Sequence, residues 1–171
     1  MPKGTYELIA SNTIVGSSTS SINFNDIPQY YTDLRIVAIS KINDTNPYYV
    51  DVNVRFNSDQ SSSYYVNGMY NFYGNFVPQA TAGPDSRFSP NGSFGSSTSY
   101  TTVYVDVLNY SSSTTFKGAI IRWGGSGPAP LVYGNYQGVY ASTTPITSIN
   151  IFSSWIWTAG SYFSVSGIRS E

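Results

Sequence analysis

The sequence contains no cysteine and no histidine. Without cysteine there is no disulfide framework and no thiol chemistry, and the redox state of the compartment leaves no mark on the chain. With both residues missing, the Ser-His-Asp and Cys-His arrangements cannot be assembled, and the usual zinc ligand sets are absent. Charge is scarce as well. Asp, Glu, Lys and Arg make up 10% of the residues, against about 25% in an average soluble domain. The basic residues Lys3, Arg35, Lys41, Arg55, Arg87, Lys117, Arg122 and Arg169 stand singly, and the net charge is −1. Binding to a phosphate backbone needs clustered cations that release counterions, so no nucleic acid is expected as a partner, and the same scatter disfavours an anionic membrane surface. No run of about 18 apolar residues is present, so no membrane span is expected. The stretch Met1 to Ser11 lacks the basic, apolar and small-residue segments of a signal peptide.

What the chain has instead is a strand vocabulary. Val, Ile, Thr, Tyr and Phe are abundant, and no window at helical spacing outcompetes alternation. Val50, Val52, Val54 and Phe56 alternate with Asp51, Asn53 and Arg55. Val103, Val105 and Val107 oppose Tyr104 and Asp106. Leu34, Ile36 and Ala38 alternate with Arg35, Val37 and Ile39, which suggests a strand buried on both faces. Phe116 to Ile121, Thr147 to Ile151, and Phe163 with Val165 add further stripes. Tyr6–Ser11, Ser21–Phe24, Tyr64–Phe72 and Leu131–Tyr140 complete the set. Turn residues divide these runs at Asn43–Pro47, at Asn57–Ser63 (read as a hairpin loop) and at Gly124–Pro130. Residues 75–99, rich in Pro, Gly, Ser and Phe, read as one long loop, a candidate interaction arm. About ten short strands in 171 residues predict a single all-β domain, an antiparallel β-sandwich of jelly-roll type, over the whole chain.

Catalytic chemistry is hard to place on this pattern. A Ser-Lys dyad could draw on Lys3, Lys41 or Lys117, but none lies in a recognisable motif. A glycosidase would need two facing carboxylates, and Asp51 and Asp106 fall on polar strand faces while the others lie mainly at turns. Asn57-Ser58-Asp59 and Asp44-Thr45-Asn46 offer too few oxygens for calcium and read as turns. No catalytic residue, cofactor or metal is therefore expected. The aromatic residues are the remaining lead: 16 Tyr, 9 Phe and 3 Trp. The pairs Tyr30-Tyr31, Tyr48-Tyr49 and Tyr64-Tyr65 each send one ring to either side of the chain. Trp155 and Trp157 share a face if they lie on a strand. Such rings stack on sugars or anchor interfaces when exposed, and close the core when buried. Tyr48, Tyr49, Tyr64, Tyr65, Trp155 and Trp157 are the candidate contacts for a partner or a glycan.

A resemblance rests on the order of several short segments. Tyr6-Glu7-Leu8-Ile9-Ala10-Ser11 is followed by Ile22-Asn23-Phe24-Asn25-Asp26-Ile27-Pro28 and Tyr31-Thr32-Asp33-Leu34. Then come Val54-Arg55-Phe56-Asn57-Ser58-Asp59 with Tyr64, Asn109-Tyr110-Ser111, and Gly160 through Ile168. This order resembles a family of small structural proteins of tailed bacteriophages, cyanophage-like, over nearly the whole chain. The family carries a Tyr before the final Gly-Ile pair, where this chain has Ser166. The resemblance implies a jelly-roll-like virion protein without enzymatic activity. It implies a head decoration (cement) protein or a component of fibres and tails; the first expectation is a capsid cement protein on the outer surface of the head, bridging subunits of the major capsid protein as a homo-oligomer, dimer or trimer. The rival expectation is a carbohydrate- or receptor-binding module at a tail or fibre tip, and the third is an enzyme.

Overall fold

A computed structural model of the chain describes residues 5–16, 18–43, 51–72, 74–80, 84–89, 99–125 and 132–169. The described residues form strands and no helix, as β-branched and aromatic side chains favour. The strands are β1 (Tyr6–Thr13), β2 (Thr19–Phe24), β3 (Asp33–Ser40), β4 (Asn53–Phe56), β5 (Tyr64–Phe72), β6 (Asn75–Ala80), β7 (Thr101–Leu108), β8 (Lys117–Gly125), β9 (Val132–Tyr140), β10 (Ile149–Trp157) and β11 (Tyr162–Ile168). Eight of them make one sheet in the order β1-β11-β3-β7-β8-β9-β5-β6, and three make a second in the order β2-β10-β4. The chain passes from the large sheet to the small one for β2, β4 and β10 and returns each time. All named pairings are antiparallel. The inward side chains of both sheets join one buried cluster, so the expected antiparallel β-sandwich is what the chain forms. The winding places eight strands against three, and the jelly-roll type is not established by it.

Period-two burial runs through the large sheet. In β9, Val132, Gly134, Tyr136, Gly138 and Tyr140 are buried, while Tyr133, Asn135, Gln137 and Val139 are exposed. In β3, Leu34, Ile36 and Ala38 are buried, but Arg35, Val37 and Ile39 are only half-buried, so the strand expected to be covered on both faces is covered fully on one. Two glycines on inner positions make room for rings. A Cβ on Gly167 would stand 2.2 Å from the Tyr31 ring, and one on Gly134 would stand 2.5 Å from the Trp123 indole. These rings occupy the volume a side chain would need.

Three loop readings change. Asn57–Ser63 does not close a hairpin: Phe56 ends β4 in the small sheet, and Tyr64 opens β5 in the large one. Asn57 and Ser58 adopt φ of 52° and 56°, and Asn57 Oδ1 accepts the Thr147 amide at 2.8 Å while its Nδ2 donates to the Pro145 carbonyl at 2.9 Å. The turn therefore clamps the crossing to the segment before β10. Residues 75–99 are not one loop, because Asn75–Ala80 is β6, paired with β5 at the edge of the large sheet. Pro78 argued against a strand, yet an edge position tolerates it, since no further neighbour needs its amide. Asp85 and Phe88 then bridge to Tyr64 and Val54. Gly124 and Gly125, read as loop, complete β8. Residues 44–47, 81–83, 90–98 and 126–130 lie outside the described residues.

Candidate functional site

The candidate aromatic contacts separate into different roles. Tyr64 is 0% exposed and sits in a cluster with Phe56, Phe88 and Tyr140. Its ring stacks on Tyr140 at 4.7 Å and meets the Phe88 edge at 5.1 Å, and its Oη accepts the Phe56 amide at 2.9 Å. It is a core residue, not a partner contact. Its neighbour Tyr65 points outward and is exposed, so this pair does send one ring each way. Trp157 is fully buried against Phe163, with ring centroids 4.5 Å apart, and it too is excluded as a surface contact. Trp155 has the same parity along β10 but is only half-buried. The register with β2 shifts between Phe152 and Trp157, which bulges the strand and brings Trp155 to the margin of the core. There it lines a shallow hollow of about 340 Å³ with Ser18, Asn43, Ser154 and Ile156. Tyr48 and Tyr49 lie outside the described residues.

Asp51 ties down the bulge. Its carboxylate accepts the Ser154 amide at 3.1 Å, the Ser154 and Ser153 hydroxyls at 2.9 and 3.2 Å, and the Asn53 amide at 2.8 Å. Burial alone would raise its pKa, but these donors outweigh burial and hold it below the usual carboxylate range. A depressed folded pKa gives stability that is full above the unfolded value and is lost as pH falls through the folded one. Asp51→Ala should cost about 2 kcal/mol at neutral pH, and Asp51→Asn should flatten part of the acid limb of a melting-temperature profile between pH 6 and 2. An unchanged profile would exclude this role.

Lys117 and Asp59, also considered for chemistry, are held structurally, while Lys3 and Asp44 lie outside the described residues. The Lys117 ammonium donates to the carbonyls of Ser112, Thr115 and Ser142 at 2.7, 3.2 and 3.0 Å, so it fastens two loops. Burial pushes its pKa down. Asp59 accepts the Ser61 amide at 2.8 Å and the Tyr140 hydroxyl at 2.8 Å.

The outer face of the large sheet holds what the sequence reading did not assemble. Register aligns Leu108, Gly118, Val139 and Tyr65 in one row across β7, β8, β9 and β5, with Ile120 in the next. Leu108, Ile120, Val139 and Tyr65 are 39–44% exposed, and Met69 is 53% exposed. In that next row, directly opposite Ile120, Asp106 is buried between two arginines. Arg35 Nε and Nη2 donate to its two oxygens at 2.5 and 2.9 Å, and Arg122 Nη2 donates at 2.6 Å. Arg35 is also capped by the Tyr6 ring at 4.5 Å. This pairing raises the pKa of Arg35. Two guanidiniums around one carboxylate leave a net positive charge on this part of the sheet.

Beside that charge lies an open groove of about 760 Å³, lined by Thr102, Tyr104, Arg122, Gly124, Tyr133 and Asn135. Its shape follows from register. Tyr104, Arg122 and Asn135 form one row, and Thr102, Gly124 and Tyr133 form the next. Gly124 leaves a gap between Thr102 and Tyr133, and Tyr104 and Tyr133 stand up as its walls, 38% and 39% exposed. Comparison with models of known protein families, with curated proteins and with solved structures finds no match to the chain.

Proposed function

We propose that this protein is a structural protein of a tailed-bacteriophage virion that works by binding and not by catalysis. In this reading it is a cement or decoration protein on the outer surface of the head. As a homo-oligomer it bridges neighbouring subunits of the major capsid protein and stabilises the shell. The order of segments from Tyr6 to Ile168 supports the virion assignment, and the low charge content suits a surface made to be covered. The observation that carries the docking reading is the row Leu108, Val139 and Tyr65 with Ile120 beside it, apolar side chains standing out on the outer face of an eight-stranded sheet. The row from Leu108 to Tyr65 carries no charged side chain, while Asp33 continues it on β3 and Asp106 stands opposite Ile120, so the matching capsid surface is apolar at its centre and polar along that border. Apolar burial is worth about 25 cal/mol per Å², and a modest patch repeated over a shell adds up.

Immunogold labelling of intact virions tests this. Gold spread evenly over the heads is the expected result. Gold confined to the tail or its tip would overturn the cement reading in favour of the second one, a carbohydrate- or receptor-binding module, which the groove between Tyr104 and Tyr133 favours.

A further inference from the structure

We propose that the groove over Gly124 is a binding subsite for a saccharide that carries carboxylate groups. This gives a ligand class to the receptor-binding reading and rests on that groove, not on where in the virion the protein sits.

Charge sets the class. Arg122 uses one Nη2 contact on Asp106, and its side chain is 48% exposed at the groove. The remaining guanidinium edge can donate a paired set of hydrogen bonds to a carboxylate, the geometry in which arginine binds most strongly. Asp106 fixes the guanidinium from below, and Arg35, gripped through both Asp106 oxygens and capped by Tyr6, keeps the local charge positive. A neutral sugar would leave that charge unanswered. The walls set the other half of the recognition. The Tyr104 and Tyr133 rings offer apolar faces to the C–H side of a pyranose, while their hydroxyls, Thr102 and Asn135 offer hydrogen bonds at the rim. The volume lies within the range of small-ligand sites, about 300–1,000 Å³.

The row from Leu108 to Tyr65 does not compete for this space, although Ile120, two residues before Arg122, borders it. Thr102 and Leu108 mark opposite ends of β7, about 20 Å apart along the strand. One end of the sheet can dock while the other remains open to a sugar.

Gly124 makes the test clean. A Cβ there meets only the Val132 carbonyl at 3.7 Å and Tyr133 Cβ at 3.8 Å, ordinary contacts, so a side chain fits the backbone but fills the groove. Val is also a better strand former than Gly. The full chain should be titrated calorimetrically with oligogalacturonate, oligomannuronate and oligosialate, with cello-oligosaccharide as the neutral control and dextran sulfate as the control for charge alone. At least one carboxylated oligomer is expected to bind, with the neutral one at least about tenfold weaker. Gly124→Val and Arg122→Gln should each weaken binding at least about tenfold, with the melting temperature of Gly124→Val held or raised. No binding to any carboxylated oligomer would overturn the proposal, as would equal binding to dextran sulfate or full binding by Gly124→Val. Tail labelling with no carboxylate binding would sink this inference and leave the receptor reading standing. Head labelling with carboxylate binding would do the reverse.

Discussion

Tyr64→Ala is expected to destabilise the protein by about 4 kcal/mol, the range for removing a large buried ring, and to lower the melting temperature by about 10 °C in a chain of this length. Three rings surround the side chain, so the vacated volume cannot close without moving Phe56, Phe88 or Tyr140. The substitution also removes the acceptor of the Phe56 amide, which is buried. Tyr64→Phe isolates that second effect. It keeps the ring contacts, leaves the amide without its partner, and should cost about 1–3 kcal/mol. Chemical denaturation of both variants checks the pair, and equal costs would mean that the cavity contributes nothing. The cluster has a pH signature as well. Burial pushes the Tyr140 phenol up to about 12, and its hydrogen bond to Asp59 adds to the rise. Tyr31 and Tyr136 are also pushed up to about 12, chiefly by burial. A raised folded pKa gives stability that is fully present below the unfolded value near 10 and is lost as pH rises through the folded one. Unfolding should therefore steepen between about pH 10 and 12, while the neutral range stays flat with respect to these groups.

The double substitution Leu108→Asp with Val139→Asp is expected to reduce binding to phage heads at least about 100-fold, because each new carboxylate would be buried without a cationic partner when the face docks. In the free protein both positions face water, 39% and 41% exposed, so the fold should lose little. The measurement is co-sedimentation of purified protein with heads that lack it, wild type beside variant. Retained binding by a folded variant would remove this face from the docking reading. Gly124→Val, placed at the far end of β8, the strand between those two positions, is the matched control and should bind heads as the wild type does.

The abundance of β-branched and aromatic residues and the alternation of apolar ones determined the fold class and most strand positions by themselves. Burial period is a local property of a strand, so Val103, Val105 and Val107 or Phe163 and Val165 could be placed inside from their spacing alone. The partition into sheets could not. Phe56 and Tyr64, eight residues apart, look like the two arms of a hairpin, and only the packed structure puts them in different sheets. Pro78 hid β6, because a proline excludes a central strand but not an edge, and edge position is a property of the whole sheet. For Tyr64 and Tyr65 the opposition of neighbours was legible, and tertiary packing decided which ring was buried, Tyr64 inside and Tyr65 outside; the Tyr30 and Tyr31 rings, expected to part in the same way, instead lie 4.4 Å apart because no strand alternation holds at that turn. The groove was not legible at all. Arg35, Asp106 and Arg122 lie on three strands, and Gly124 looked like the start of a loop. Register, set by the buried face and the crossings between sheets, is what brings those residues into adjoining rows, and register is a long-range outcome that no local pattern encodes.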